Sequence, residues 1–246
     1  LGFGFFSLDN PPMVKLRIAP LYSRGFYKFR LIYSEPKERL MTQSINADAY
    51  LEQHKNAVRA NPTCGMTRYN YAVALLAQKR FDEAEHELKE AVDCSPTFSE
   101  AYVLLGGIRM QHNDLEGCLH YNQKAVNARE GFAEGYGNIG FVYLQQGKIE
   151  AAIDALEKAV TFNPNFIQAY TNLGNAYLMN GQIDKSIETN KKVLEIESAF
   201  AVAHNNLAIA YLEKGEVELA AAHCEKAEQL GYAVAPEIKK EISNTR

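Results

Sequence analysis

The chain repeats itself every 34 residues, and this property restricts its fold more than any other. Residues 65–98, 99–132, 133–166, 167–200 and 201–234 align under one another without an insertion. Column 8 of that frame reads Ala72, Gly106, Gly140, Gly174, Ala208. Column 20 reads Ala84, Cys118, Ala152, Ser186, Ala220, and column 27 reads Ala91, Ala125, Ala159, Val193, Ala227. Fourteen of these fifteen residues are Gly, Ala, Ser or Cys, types that fill roughly a quarter of ordinary sequence. Small side chains in fixed columns mean that two backbones nearly touch there. Two antiparallel helices joined by a short turn have that need, and the larger residues of columns 4, 7, 11 and 24 fill the space on either side. Column 15 reads Lys79, Asn113, Gly147, Gly181, Gly215, mostly residues that accept the left-handed conformation closing a helix. Column 32 reads Pro96, Glu130, Pro164, Ser198, Tyr232, and proline there stops the second helix.

This pattern resembles the tetratricopeptide-repeat (TPR) family over residues 65–234. The stretch from Ala133 to Pro164, with Tyr136, Ile139, Gly140, Tyr143, Ala152 and Ala159, lies nearest its consensus. The resemblance implies an all-α fold, a right-handed α-solenoid of helix–turn–helix repeats. It speaks to fold far more sharply than to function. Residues 47–64 read as the second helix of an incomplete N-terminal repeat, with Ala57 on column 27 and Pro62 on column 32. Residues 235–246 read as a capping helix. Pro236 suits its first position, Ile238 and Ile242 turn to the last repeat, and Lys239, Lys240 and Glu241 turn to water, as the open end of a solenoid requires.

Residues 1–46 are a different material. They hold Lys15, Arg17, Arg24, Lys28, Arg30, Lys37 and Arg39 against Asp9, Glu35 and Glu38, a balance of +4. The whole chain is −4, so the remainder is −8. The segment also carries Phe3, Phe5, Phe6, Tyr22, Phe26, Tyr27, Phe29 and Tyr33, too aromatic for a plain disordered tail. Around Arg24, Phe26, Tyr27, Lys28, Phe29 and Arg30, aromatic and basic residues alternate, and period two predicts an irregular, extended arm. The arm either docks on a partner or lies on its own acidic array.

By the same resemblance the first helix of each repeat faces a concave groove, with columns 2, 5, 6, 9, 12 and 13 pointing into it, since spacings of three, four and seven share a helix face. Column 6 reads Asn70, Leu104, Asn138, Asn172, Asn206. An amide both donates and accepts, so a row of them suits the backbone of an extended peptide. The candidate groove residues are these asparagines with Tyr69, Asn205, Phe141, Asn175, Met110 and Gln145 from columns 5, 9, 12 and 13. Columns 5, 9, 12 and 13 contain no Lys or Arg in any repeat. TPR modules that hold the acidic C-terminal tails of chaperones carry cations at columns 5 and 13, so the resemblance fails there. An acidic tail would be left with unpaired charge. The expected ligand is an apolar or mixed peptide or helix, not a chaperone carboxylate tail.

Nothing in the chain points to catalysis or a cofactor. His54, His86, His112, His120, His204 and His223 form no metal-binding motif. Gly135, Gly137 and Gly140 spell a dinucleotide fingerprint without the strand that would give it meaning. Cys64, Cys94, Cys118 and Cys224 are widely spaced and read as reduced core thiols, which favours a reducing, cytoplasmic compartment. No apolar run reaches the roughly 20 residues that span a bilayer. The first residue is leucine, so the sequence leaves open a signal or anchor ahead of it. The acidic chain is a poor nucleic-acid binder. The expected function is a non-catalytic interaction scaffold or assembly factor, holding a segment in the groove and docking its arm on a second surface. The alternative is an accessory subunit of a membrane-associated or redox complex, attached through the arm and peripheral to the membrane.

Overall fold

The computed structural model describes residues 47–245, and the expected N-terminal arm, residues 1–46, lies outside them. The described residues form twelve α-helices and no strand. They are α1 Ala47–Ala60, α2 Gly65–Ala77, α3 Phe81–Cys94, α4 Ser99–Gln111, α5 Leu115–Ala128 and α6 Ala133–Gln145. There follow α7 Ile149–Phe162, α8 Ile167–Met179, α9 Ile183–Ile196, α10 Ala201–Lys214, α11 Val217–Gln229 and α12 Pro236–Thr245. The first helices begin at residues 65, 99, 133, 167 and 201, so the sequence period is also the structural period. The described residues divide into two compact units on either side of the Glu130–Gly131 boundary.

Each helix pair is closed in the same way. The column-15 residue is left-handed in all five repeats: Lys79 and Asn113 at φ 60°, Gly147 at 69°, Gly181 at 73° and Gly215 at 83°. In each, the next amide reaches back five residues to the helix, as Arg80 N does to Leu75 O and Gln182 N to Tyr177 O. These bonds satisfy carbonyls that the helix end leaves bare. Lys79 adopts this conformation although a lysine side chain disfavours it. The second helices end differently. Ser95, Arg129, Asn163 and Glu197 are extended, with φ between −142° and −133°. Proline follows Ser95 and Asn163 and forces that geometry, whereas Arg129 and Glu197 adopt it without one.

Within a pair the small columns make the crossing. A Cβ on Gly140 would sit 2.5 Å from Leu156 Cγ, and one on Gly106 or Gly174 would sit 2.4 Å from the amide nitrogen of Asn122 or Asn190. Ala84, Ala91, Ala152 and Ala159 are fully buried. In the first unit Leu75, Leu88, Leu105 and Ile108 form the core, and in the second Val142, Leu156, Val193 and Leu207 are its deepest side chains. Burying one such side chain stabilises by about 1.5–3 kcal/mol. At the C-terminal end Pro236 opens α12, Ile238 and Ile242 are buried, and Lys239 is exposed and bonded to Glu228 at 2.9 Å.

Candidate protein-binding face

The first helices carry most of the side chains expected to meet a partner, and the two units hold them separately. In the first unit Asn70 and Tyr69 stand half-buried on α2, and Met110 half-buried on α4. Leu104, the one apolar member of column 6, is buried in the core. In the second unit α6, α8 and α10 lie side by side. Asn138, Phe141 and Gln145 on α6 and Asn172 on α8 are half-buried, and Asn175, Asn205 and Asn206 are buried. The arm residues Arg24, Phe26, Tyr27, Lys28, Phe29 and Arg30 lie outside the described residues.

The asparagines are not equivalent. Asn206 Nδ2 donates to Asn190 Oδ1 at 3.2 Å, and Asn190 Nδ2 donates to the Ser186 carbonyl at 2.9 Å. Asn206 therefore joins α10 to the second helix of the preceding repeat. The column pattern could not separate this one from the rest, because its neighbour Asn190 lies on a different helix of a different repeat. Asn172 has no buried amide opposite it, since Leu156 holds the equivalent place. Asn205 differs again, for its buried Oδ1 has no hydrogen-bond partner. A buried acceptor left bare costs about 1–3 kcal/mol.

A second row escaped the sequence reading. Column 34 reads Phe98, Phe132, Phe166 and Phe200, and each of them is the residue that precedes a first helix. None of these four helix starts has a side-chain cap. Two of the phenylalanines pack instead on column 5 of their own frame. Phe98 lies against Tyr69 with ring centroids 4.8 Å apart, and Phe166 lies so close to Gly137 that a Cβ there would come within 2.8 Å of the ring. Phe98 thus sets a ring between α2 and α4, and Phe166 sets one between α6 and α8. The signal is present in the sequence as an aromatic at the end of four of the five 34-residue frames, the fifth ending in Val234.

The cations of the first helices stand at columns 4, 11 and 14, outside the expected groove columns, and are paired. The cations on first helices α2 to α10 are Arg68, Arg109 and Lys214. Arg68 Nη1 lies 2.8 Å from Glu87, Arg109 pairs with Glu85, and Lys214 Nζ lies 3.0 Å from Asp184 and 3.1 Å from Glu216. All of these carboxylates belong to second helices or to the turns that lead into them. The first-helix face thus offers amides and apolar surface, with the paired cations outside the groove columns.

Other chemistry is sparse. Of the four free cysteines only Cys118 and Cys224 are core thiols, while Cys94 is exposed and Cys64 half-buried, so the expectation of four core thiols holds for two. Burial pushes the Cys118 thiol up to about 12, far from the thiolate that a nucleophile needs. Among the described residues no three His, Cys, Asp or Glu side chains gather to hold a metal ion. No described helix is long and apolar enough to cross a membrane.

Four family models match the chain. Models described as TPR or tetratricopeptide repeat cover residues 47–97, 140–181, 167–200 and 201–226. No curated protein matches it. Among solved structures, MamA is 28% identical with a TM-score of 0.59, over 65% of this chain and 94% of that one. YrrB, described as a TPR protein with an unusual peptide-binding site, is 21% identical with a TM-score of 0.61, over 75% and 93%. The Cut9–Hcn1 hetero-tetramer of the APC/C gives 17% and a TM-score of 0.67, over 82% and 40%. At 21% and 17% identity the last two speak to the fold alone.

Proposed function

This chain belongs to the tetratricopeptide-repeat family, and from that premise we propose that it is a non-catalytic scaffold that holds a peptide or helical segment of another protein along its first helices. The observation that carries this reading is the composition of the first-helix face. In the second unit the half-buried Phe141, Asn138, Gln145 and Asn172 stand on adjacent helices, with the bare acceptor of Asn205 among them. The amides bond to a ligand backbone and the aromatic surface covers its apolar side chains. Mechanism in such a protein is geometric: it fixes where two partners sit. The absence of Lys and Arg from columns 5, 9, 12 and 13 argues against an acidic ligand, whose carboxylates would find no partner.

Selection of a displayed random-peptide library on the full chain tests this reading. Enrichment of apolar or mixed sequences supports it. Enrichment of peptides ending in paired acids would overturn the ligand class, and no enrichment would overturn peptide binding.

A second reading follows from the arm. Its balance of +4 and its interleaved Phe and Tyr suit an anionic lipid surface or a membrane-associated complex. It would place the protein in the cytoplasm, peripheral to a membrane. In the scaffold reading the arm docks on a second protein surface and raises the effective concentration of the groove contact. Co-sedimentation of the full chain with anionic and neutral vesicles separates the two. Binding to anionic vesicles that is lost on deletion of residues 1–46 favours the lipid surface, and absence of binding removes it.

A further inference from the structure

The last repeat contains a polar contact that neither its packing nor its groove uses. His204 on α10 and His223 on α11 meet with their Nδ1 atoms 2.9 Å apart. His204 is buried, and its Nε2 lies 3.3 Å from the Ser198 carbonyl in the linker before α10. A carbonyl only accepts, so His204 Nε2 carries the proton. His204 Nδ1 is then bare, and it accepts from His223 Nδ1–H. Both tautomers are fixed by this chain of bonds.

We propose that His204 and His223 form a proton-operated clasp between α10 and α11, closed at neutral pH and opened in acid. The contact tolerates one added proton, which can sit on the free Nε2 of His223. A second proton has to go on Nδ1 of His204, where it faces another N–H at 2.9 Å. The two rings then repel as donors and as charges. A neighbouring cation opposes further charge. Tyr211 of α10 stacks on the His223 ring at 5.5 Å, and Lys191 of α9 lies 5.8 Å above that same tyrosine ring. The α12 cation nearest to α11 in the bonding pattern, Lys239, is held by Glu228. Among the described residues no carboxylate reaches either imidazole to compensate. Burial lowers the affinity of His223 for its proton, and His204 and Lys191 lower it further.

The sign follows from linkage. A folded-state affinity below the unfolded one means that the unfolded chain binds more protons. Stability is then whole above about pH 6.5 and falls as pH drops below it, by up to about tenfold in the folding equilibrium per pH unit for one proton. The other four histidines of the chain, His54, His86, His112 and His120, all precede residue 131. Between pH 5 and 7.5 the acid response of the second unit therefore belongs to this pair.

Nitrogen-resolved NMR of the histidine rings in the full chain tests the clasp. At pH 7.5 it predicts the Nε2–H tautomer for His204 and the Nδ1–H tautomer for His223. On acidification it predicts loss of the hydrogen bond between the two Nδ1 atoms, with faster hydrogen exchange, corrected for intrinsic rates, in α11 and α12 before α7. His223→Gln keeps a donor for His204 and should leave α11 protection independent of pH over this range. A hydrogen bond between the rings that persists in acid, or α11 protection that does not change with pH, would overturn the proposal.

Discussion

Lys79 shows what a single residue contributes to a repeat protein. Its column is glycine in three repeats and asparagine in one, and all five members are left-handed. An L-residue held there loses roughly 1–2 kcal/mol, part of which glycine would return as chain entropy. Lys79→Gly should raise stability by about 0.5–1 kcal/mol, measured as a shift of the denaturant midpoint at constant slope. A lower midpoint would show that the lysine side chain makes a contact worth more than its backbone strain. Gly174 is the opposite case. A methyl group there meets the Asn190 amide at 2.4 Å, and that amide is already bonded to Ser186 and Asn206. It has little freedom to retreat, so Gly174→Ala should destabilise by about 1–3 kcal/mol.

Between elements, the repeats solve one contact in two chemistries. Leu88 and Leu104 are both buried in the core of the first unit, where Asn190 and Asn206 are bonded in the second. Asn172 faces Leu156 without such a partner because it is only half-buried, but Asn206 is buried, so its amide cannot lose Asn190 without cost. Asn190→Leu should cost about 1–3 kcal/mol, and Asn190→Leu with Asn206→Leu should recover most of it. Gly174 leaves room for the leucine, as Gly140 does for Leu156. Additive losses in the double variant would contradict this pairing. The same contact marks the limit of legibility in the sequence. The period, the turn residues and the small crossings are local or column-wise, so one chain read against itself displays them. Which asparagine faces outward depends on the helix of another repeat behind it, and column 6 alone is blind to that. The phenylalanine row lay in plain view, but its meaning needed the contact between column 34 and column 5.

At the scale of the whole molecule the central claim is that the first helices hold a partner and perform no chemistry on it. The amides of Asn138 and Asn172 are its most exposed test, since both are half-buried and lie on neighbouring helices α6 and α8. Each lost hydrogen bond is worth about 0.5–1.5 kcal/mol. The decisive measurement is the affinity of a library-selected peptide for the full chain and for the Asn138→Ala, Asn172→Ala double variant, with helix content followed by circular dichroism. The account predicts binding weaker on the order of tenfold with unchanged helix content. Unchanged affinity in a folded double variant would contradict it.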